Sequence, residues 1–430
     1  LSRTDWNGTF PKTYAGLTAN ATVSRLLNND LYTLKTDDDV SDLIFGDTTS
    51  TLTINDMKNA PYDDPRWEEL VNKVTVAEFL DFSANAFHNI QGIASVNMPQ
   101  KAADDGPGGS DSHYLNEGGY QGVPYADAAD YTSGTRVAPS PVNLAYAWNK
   151  ELAFENGEII LGESTLVLDL PIMIGPGMNI HRHAYNARGV EYYSEDPILS
   201  GYVGSAVVQG AQSKGTLVNI KHMGFNDQEH NRAGISAYMT EQKFRETDLR
   251  GFEGALSDAF GMGVMIAFNR IGATNASHHV GMIQKIVRGE WGFKGLISTD
   301  MMNNYLYFNA ESMVMAGITQ VADFAADNSH INLGEGGVDA VWPHISLETV
   351  SKDSNLVEQA RENLKYQLYI FANSAILNIS TQRVNTWWDT ALTVTTYASS
   401  ILAVLFFLAW VVLTLLPEKK PVVVRVENKR

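Results

Sequence analysis

Three short runs between Gly175 and Arg232 concentrate side chains that bind charge or move protons. They are Gly175-Pro-Gly-Met-Asn-Ile-His-Arg182, Arg188-Gly-Val-Glu-Tyr-Tyr-Ser-Glu-Asp-Pro197 and Lys221-His-Met-Gly-Phe-Asn-Asp-Gln-Glu-His-Asn-Arg232. The first follows the apolar stretch Leu170 to Ile174, and the third follows Leu217 to Ile220. An apolar run that ends in a polar cluster reads as a buried parallel strand opening into a loop. In α/β proteins the ligand sits at the carboxyl edge of such strands. Arg182, Arg188, Lys221, His222 and Arg232 are therefore expected at one rim, around a polyhydroxylated or anionic ligand.

The elements needed to position them can be read along the chain. Further strands are expected at Ile93 to Met98, Gly263 to Phe268, Gly295 to Ser298 and Ile318 to Ala322. Helices are expected at Val76 to Ile90, Trp148 to Leu161, Ser200 to Ser213, Glu241 to Ser257, Val280 to Glu290 and Ala310 to Ala316. Repeated β-then-α units predict a parallel sheet with helical crossovers, and this length favours a closed (β/α)8 TIM-like barrel over an open sheet. Residues 1–60 read as an N-terminal arm, 61–345 as the barrel and 346–389 as a C-terminal helix with its linker. A membrane span at 390–416 and a basic tail at 417–430 complete the organisation.

Composition narrows the classes. The 430 residues carry a net charge of −18, which argues against nucleic acid as a partner. No cysteine is present, so disulfides and thiolate metal sites are excluded. His181, His183, His278 and His279 lack the carboxylate–histidine spacing of zinc enzymes and read as ordinary loop histidines; no metal and no cofactor is expected. Gly106-Pro-Gly-Gly109 is no phosphate loop, because no Lys-Ser/Thr follows it. Thr390 to Leu416 holds no charge and is long enough to cross a bilayer, with Trp387 and Trp388 as an interfacial pair before it. The tail after it carries five Lys/Arg against two Glu, which predicts a cytoplasmic C-terminus and an external catalytic part.

The polar runs, taken in order, resemble the barrel domain of glycoside hydrolase family 3. Asp105-Gly-Pro107 with Gly109, Trp148-Asn149 with Leu152-Ala153 and Gly162-Glu163, and Gly292-Phe-Lys-Gly-Leu-Ile-Ser-Thr-Asp300 extend the resemblance over about residues 90–330. It implies a retaining exo-β-glycosidase of β-glucosidase type, acting on a β-glucoside or β-linked oligosaccharide. Asp300 matches the nucleophile. The likeness implies that Asp105, Arg188, Lys221 and His222 hold the sugar hydroxyls. Arg232, Phe268 and Met301 complete the expected binding set, supported by Arg182, Glu191, Asn226 and Glu229. Phe268 stands where the family usually has Tyr, and Met301 where Trp is common.

In most of that family the acid/base comes from an α/β sandwich domain. Leu1 to Pro11 looks like the end of a sandwich, as in a circularly permuted subgroup where the sandwich comes first. The expectation is a C-terminal portion of a permuted, membrane-anchored enzyme, completed by an upstream domain or a separate chain. The alternative is a membrane-tethered sugar sensor that keeps the site without turnover. An amidase or N-acetylhexosaminidase branch is weaker, since Glu229-His-Asn-Arg232 does not reproduce its His loop.

Overall fold

The computed structural model describes residues 19–27, 32–41, 43–84, 89–106, 139–163, 166, 170–183, 186–226, 228–230, 232, 234–301, 309–322, 352–377 and 387–416. The chain divides into two units, Leu1–Ile379 and Ser380–Arg430.

Nine strands are described: β1 (Asn89–Ile90), β2 (Lys101–Asp105), β3 (Ile172–Gly177), β4 (Leu217–Met223), β5 (Ser236–Ala237), β6 (Gly263–Ile266), β7 (Arg270–Ile271), β8 (Thr274–Asn275) and β9 (Leu296–Thr299). The main sheet runs β1-β2-β3-β4-β6-β9, and β5-β7-β8 form a small second sheet. Every pairing from β2 to β9 in the main sheet is parallel, and only β1 runs antiparallel to its neighbour. Strands β3, β4, β6 and β9 are buried on both faces, which is why each begins in apolar residues on both sides of the pleat.

The sheet curls. Ile90, Ala103, Ile172, Asn219, Met265, Ser298, Gln320 and Ala322, from all six strands and a further segment, line one small interior space. That segment extends the sheet beyond β9: Ser298 bridges Gln320 in parallel, and the Val321 N–H donates to the Ser83 carbonyl at 2.7 Å. Helices cover the outside. Asp196 caps the helix Pro197–Ser213 by accepting from the Ile198 and Leu199 N–H groups, with Pro197 at the first turn. This helix crosses the helical stretch Lys150–Glu163 where a Cβ on Gly157 would lie 2.0 Å from the Val207 carbonyl oxygen, so only glycine allows the approach.

Two local expectations are corrected. The stretch Ile93 to Met98 is not a strand: Ala94–Val96 is a 3-10 turn, closed by an Ile93–Met98 antiparallel bridge. A short apolar run does not distinguish a strand from a buried turn, and here Ile93, Val96 and Met98 point inward from the turn. The helix beginning at Val76 ends at Ala84, and Ile90, expected at its end, pairs with Lys101 in the sheet.

The segments flanking the curled sheet share its core. Ile54 and Met57, in the stretch read as an arm, are fully buried. The helix Ser354–Ala372 is capped by Asp353, which also accepts from the Tyr32 hydroxyl and the Lys35 N–H. Its buried Asn363 donates to the carbonyls of Val314 and Ile318, both at 3.0 Å, and so ties the helix to the segment beside β9. The second unit contains the helix Trp387–Leu415, of which Thr390–Leu415 is long and apolar enough to cross a membrane and presents its large apolar side chains uncovered.

Candidate active site

The carboxyl ends of β2, β3, β4, β6 and β9 converge on a cavity of about 380 Å³ lined by Asp105, Arg188, Lys221, His222, Glu229, Arg232, Asp300 and Met301, with Ile174, Ala187 and Met265 as its apolar part. The sequence places Lys221 and His222 just past an apolar run, and the structure shows the strand continuing through both, to Met223. The pairing of β4 with its neighbours shifts between Ile220 and Met223, and that of β3 shifts between Ile174 and Gly177. These irregularities fall where the functional side chains leave the sheet.

Asp300 follows β9 directly and is only 6% exposed. Its Oδ1 accepts the Met301 N–H at 2.8 Å, while Oδ2 has no hydrogen-bond partner among the described residues. Burial raises its pKa from 3.8 to about 6; the Met301 N–H and the charges of Arg232, Arg188 and Lys221 act the other way without winning. His222 Nε2 lies 3.6 Å from Oδ2. Burial, then Arg188, Lys221 and Arg232, push the His222 pKa well below 6.5, so the imidazole is neutral. Asn179 holds the His222 backbone from both sides, accepting its N–H at 2.7 Å and donating to its carbonyl at 2.8 Å.

Around this pair the charges interlock. Lys221 Nζ lies 2.5 Å from Asp105 Oδ1 and 3.4 Å from Glu191 Oε1. Burial opposes its charge, but the two carboxylates outweigh it and the pKa is raised. Arg188 forms a two-pronged pair with Glu191 at 2.5 and 2.8 Å and stands 3.9 Å from Glu229. Arg232 pairs with Glu229 at 3.1 Å and lies over the Phe268 ring at 4.7 Å.

The structure therefore brings Asp105, Arg188, Lys221, His222, Glu229, Arg232, Asp300 and Met301 together around one cavity. Glu191 stands behind them as the partner of Arg188 and Lys221, and Phe268 is fully buried beneath Arg232. Asn226 does not line the cavity; it donates to the Tyr192 hydroxyl at 2.9 Å. Arg182 is turned away: it faces Asp248 at 3.7 Å and the Phe225 ring at 5.9 Å, rather than the carboxylates it was expected to orient. Asn179 and Tyr192 were not anticipated, although both lie within the runs singled out. No cluster of three or more His, Cys, Asp and Glu suited to a metal is found among the described residues.

Paired carboxylates, a neutral imidazole and forked cations around one cavity suit a ligand rich in hydroxyl groups, and a buried carboxylate with one unengaged oxygen suits attack on an electrophilic carbon. Comparison with known proteins points the same way. Residues 113–321 match the model of the glycosyl hydrolase family 3 N terminal domain. The chain is 32% identical over 238 residues to a probable beta-glucosidase K of Emericella nidulans, a match covering 55% of this chain and 26% of that protein. An exo-alpha-(1->6)-L-arabinopyranosidase of Bifidobacterium longum is 31% identical over 221 residues, 51% of this chain and 28% of that one. Among solved structures, beta-glucosidase 3B of Thermotoga neapolitana in complex with alpha-D-glucose superposes with a TM-score of 0.62 at 25% identity, covering 74% of this chain and 44% of that one. A beta-glucosidase of Paenibacillus barengoltzii shares the fold at 21% identity, with a TM-score of 0.61 over 86% of this chain. The match spans about a quarter of the length of the curated relatives (26% of the first). Together the comparisons show a likeness to glycoside hydrolase family 3 over residues 113–321 and support a glycoside hydrolase.

Proposed function

We propose that this chain carries the nucleophile and sugar-binding half of a retaining exo-β-glycosidase. The reading rests on Asp300, a buried strand-end carboxylate with one oxygen unpartnered among the described residues, which lines a cavity with Asp105, Arg188, Lys221 and His222. In the first step an Asp300 oxygen attacks the anomeric carbon. The glycosidic C–O bond breaks, and its electron pair leaves on the aglycone oxygen, which takes a proton from a general acid. Water then attacks the glycosyl ester, frees Asp300 and releases the sugar with its original β configuration. Asp105 accepts from vicinal hydroxyls, while Lys221 and Arg188 contribute donors and the His222 ring borders them. Arg232, on Phe268, and Met301 border the reacting carbon, with Glu191, Asn226 and Glu229 holding these side chains in place.

The substrate class is a terminal β-linked sugar, with a β-glucoside first. The curled sheet is taken to close as a (β/α)8 barrel, with the acid/base supplied by an upstream α/β sandwich domain or a separate chain. The Thr390–Leu415 helix is read as a single membrane anchor, with the basic tail in the cytoplasm and the catalytic part outside.

Hydrolysis of 2,4-dinitrophenyl β-glucoside in methanol–water tests the reading, because dinitrophenolate leaves without a protein acid. The expected product is the methyl β-glucoside, seen by NMR and lost in Asp300→Ala. Azide added to Asp300→Ala should restore turnover and give the α-glucosyl azide. A methyl α-glucoside from the native chain would rule out a covalent Asp300 intermediate. One observation favours a second reading, a sugar sensor without turnover: Phe268 offers no hydroxyl, and Asp300 Oδ2 lacks a donor among the described residues. Glucose binding by calorimetry without any methyl glucoside would favour it.

A further inference from the structure

An imidazole nitrogen lies close to Asp300 Oδ2, and its proton decides the sign of the contact. His222 is neutral, so only one of its ring nitrogens carries hydrogen. With hydrogen on Nε2, the ring presents a donor to Asp300 Oδ2 at 3.6 Å. With hydrogen on Nδ1, a nitrogen lone pair faces the carboxylate at the same distance, and the contact is repulsive. The backbone of His222 is held by Asn179, so the ring stays in place and the tautomer is set at its far side.

That far side is occupied by the Tyr192 hydroxyl, 3.5 Å from Nδ1. The phenol is fully buried, and its pKa is pushed up by burial, so it keeps its proton. Asn226 Nδ2 donates to this hydroxyl at 2.9 Å and uses it as an acceptor. The phenolic proton is then free to point elsewhere. Its acceptors are His222 Nδ1 and the Asn226 carbonyl oxygen, at 3.5 and 3.4 Å. A phenolic proton on Nδ1 requires the imidazole hydrogen on Nε2, aimed at Asp300.

We propose that Tyr192 is a positioning residue: its hydroxyl, oriented by Asn226, favours the Nε2–H tautomer of His222, so that the imidazole turns an N–H rather than a lone pair toward Asp300. This deepens the reading of Asp300 as nucleophile and rests on it. The other groups that face Asp300 are Arg188, Lys221 and Arg232, which favour its ionised form. Asp105, Glu191 and Glu229 pair with those cations and blunt them. Replacing one of the Asp300-facing cations would change the charge; replacing the Tyr192 hydroxyl leaves the charge unchanged and removes the acceptor of Asn226.

The first test needs no activity. In the full chain labelled with 15N-histidine, the His222 signals, assigned by their loss in His222→Gln, should show Nε2 protonated and Nδ1 bare, and Tyr192→Phe should mix the two tautomers. Nδ1 protonated in the native chain overturns the proposal: the phenol would then accept from the ring and donate to the Asn226 backbone carbonyl. The second test follows labelling by 2,4-dinitrophenyl 2-deoxy-2-fluoro-β-glucoside against pH. Tyr192→Phe should slow labelling roughly 3- to 10-fold at pH 5.5 and by less than about twofold at pH 8, because Asp300 facing a lone pair in place of the N–H ionises at higher pH. An equal loss at both pH values, with a lowered melting temperature, would assign Tyr192 a packing role and overturn the proposal. If the native chain takes no label at any pH, the nucleophile reading fails, while the tautomer is still decided by the nitrogen spectra.

Discussion

Asp300→Asn should make this protein more stable at neutral pH and change little in acid. Burial holds the Asp300 pKa near 6 instead of 3.8. One pKa unit corresponds to about 1.4 kcal/mol, so ionised Asp300 costs the folded state about 3 kcal/mol. The sign follows from linkage. The folded-state pKa lies above the unfolded one, so the unfolded chain loses its proton first as pH rises. The cost is absent below the unfolded value, grows between about 4 and 6, and is complete above the folded value. Asparagine keeps the shape and can still accept the Met301 N–H, but it carries no charge. Urea unfolding of both proteins in detergent, followed by tryptophan fluorescence, should give the variant an advantage of up to about 3 kcal/mol at pH 8 and below about 1 kcal/mol at pH 4. A difference independent of pH, or a variant less stable at pH 8, would refute the argument that the site stores this cost.

Further outcomes follow from the same geometry. Lys221→Met removes the cation between Asp105 and Glu191; because the Asp105 side chain is 31% exposed, the loss should be about 2–3 kcal/mol rather than the larger value for a fully buried pair, read from urea midpoints. Arg232→Gln removes a charge that favours ionised Asp300, so the acid limb of fluorosugar labelling should move to higher pH, and an unmoved limb would exclude that coupling. Asn363→Leu breaks two buried hydrogen bonds between the helix Ser354–Ala372 and the segment beside β9, and should cost about 2–4 kcal/mol by the same unfolding assay. Truncation after Ile379 should abolish flotation of the chain with liposomes; continued flotation would assign membrane binding to another surface.

Much of the site was legible because its residues follow apolar runs that read as buried strands and proved to be so. Asp300, Lys221 and His222 were located in that way, and the cavity holds all three. What escaped depends on contacts across the sequence. Arg182 ends the first polar run, yet it faces Asp248 on a helical segment well downstream, and no local pattern carries that pairing. Tyr192 reads as one of two adjacent core aromatics, and Tyr193 beside it is also fully buried. Only the fold, which carries the Arg188–Pro197 run back against β4, puts the Tyr192 hydroxyl at the ring of His222. The turn at Ala94–Val96 was misread for a related reason: inward apolar residues mark burial, and burial alone does not distinguish a strand from a turn. The helix over Thr390–Leu415 was readable from composition alone, since uniform apolarity without charge needs no tertiary partner to be seen.

The central claim is that Asp300 attacks the anomeric carbon. Intact-protein mass spectrometry after incubation with 2,4-dinitrophenyl 2-deoxy-2-fluoro-β-glucoside tests it most directly, since the fluorine slows release of the intermediate and the leaving group needs no acid. The account predicts a mass gain of one fluorosugar, mapped to the peptide containing Asp300 and absent in Asp300→Asn. A label mapped to another carboxylate, or retained in Asp300→Asn, would contradict it.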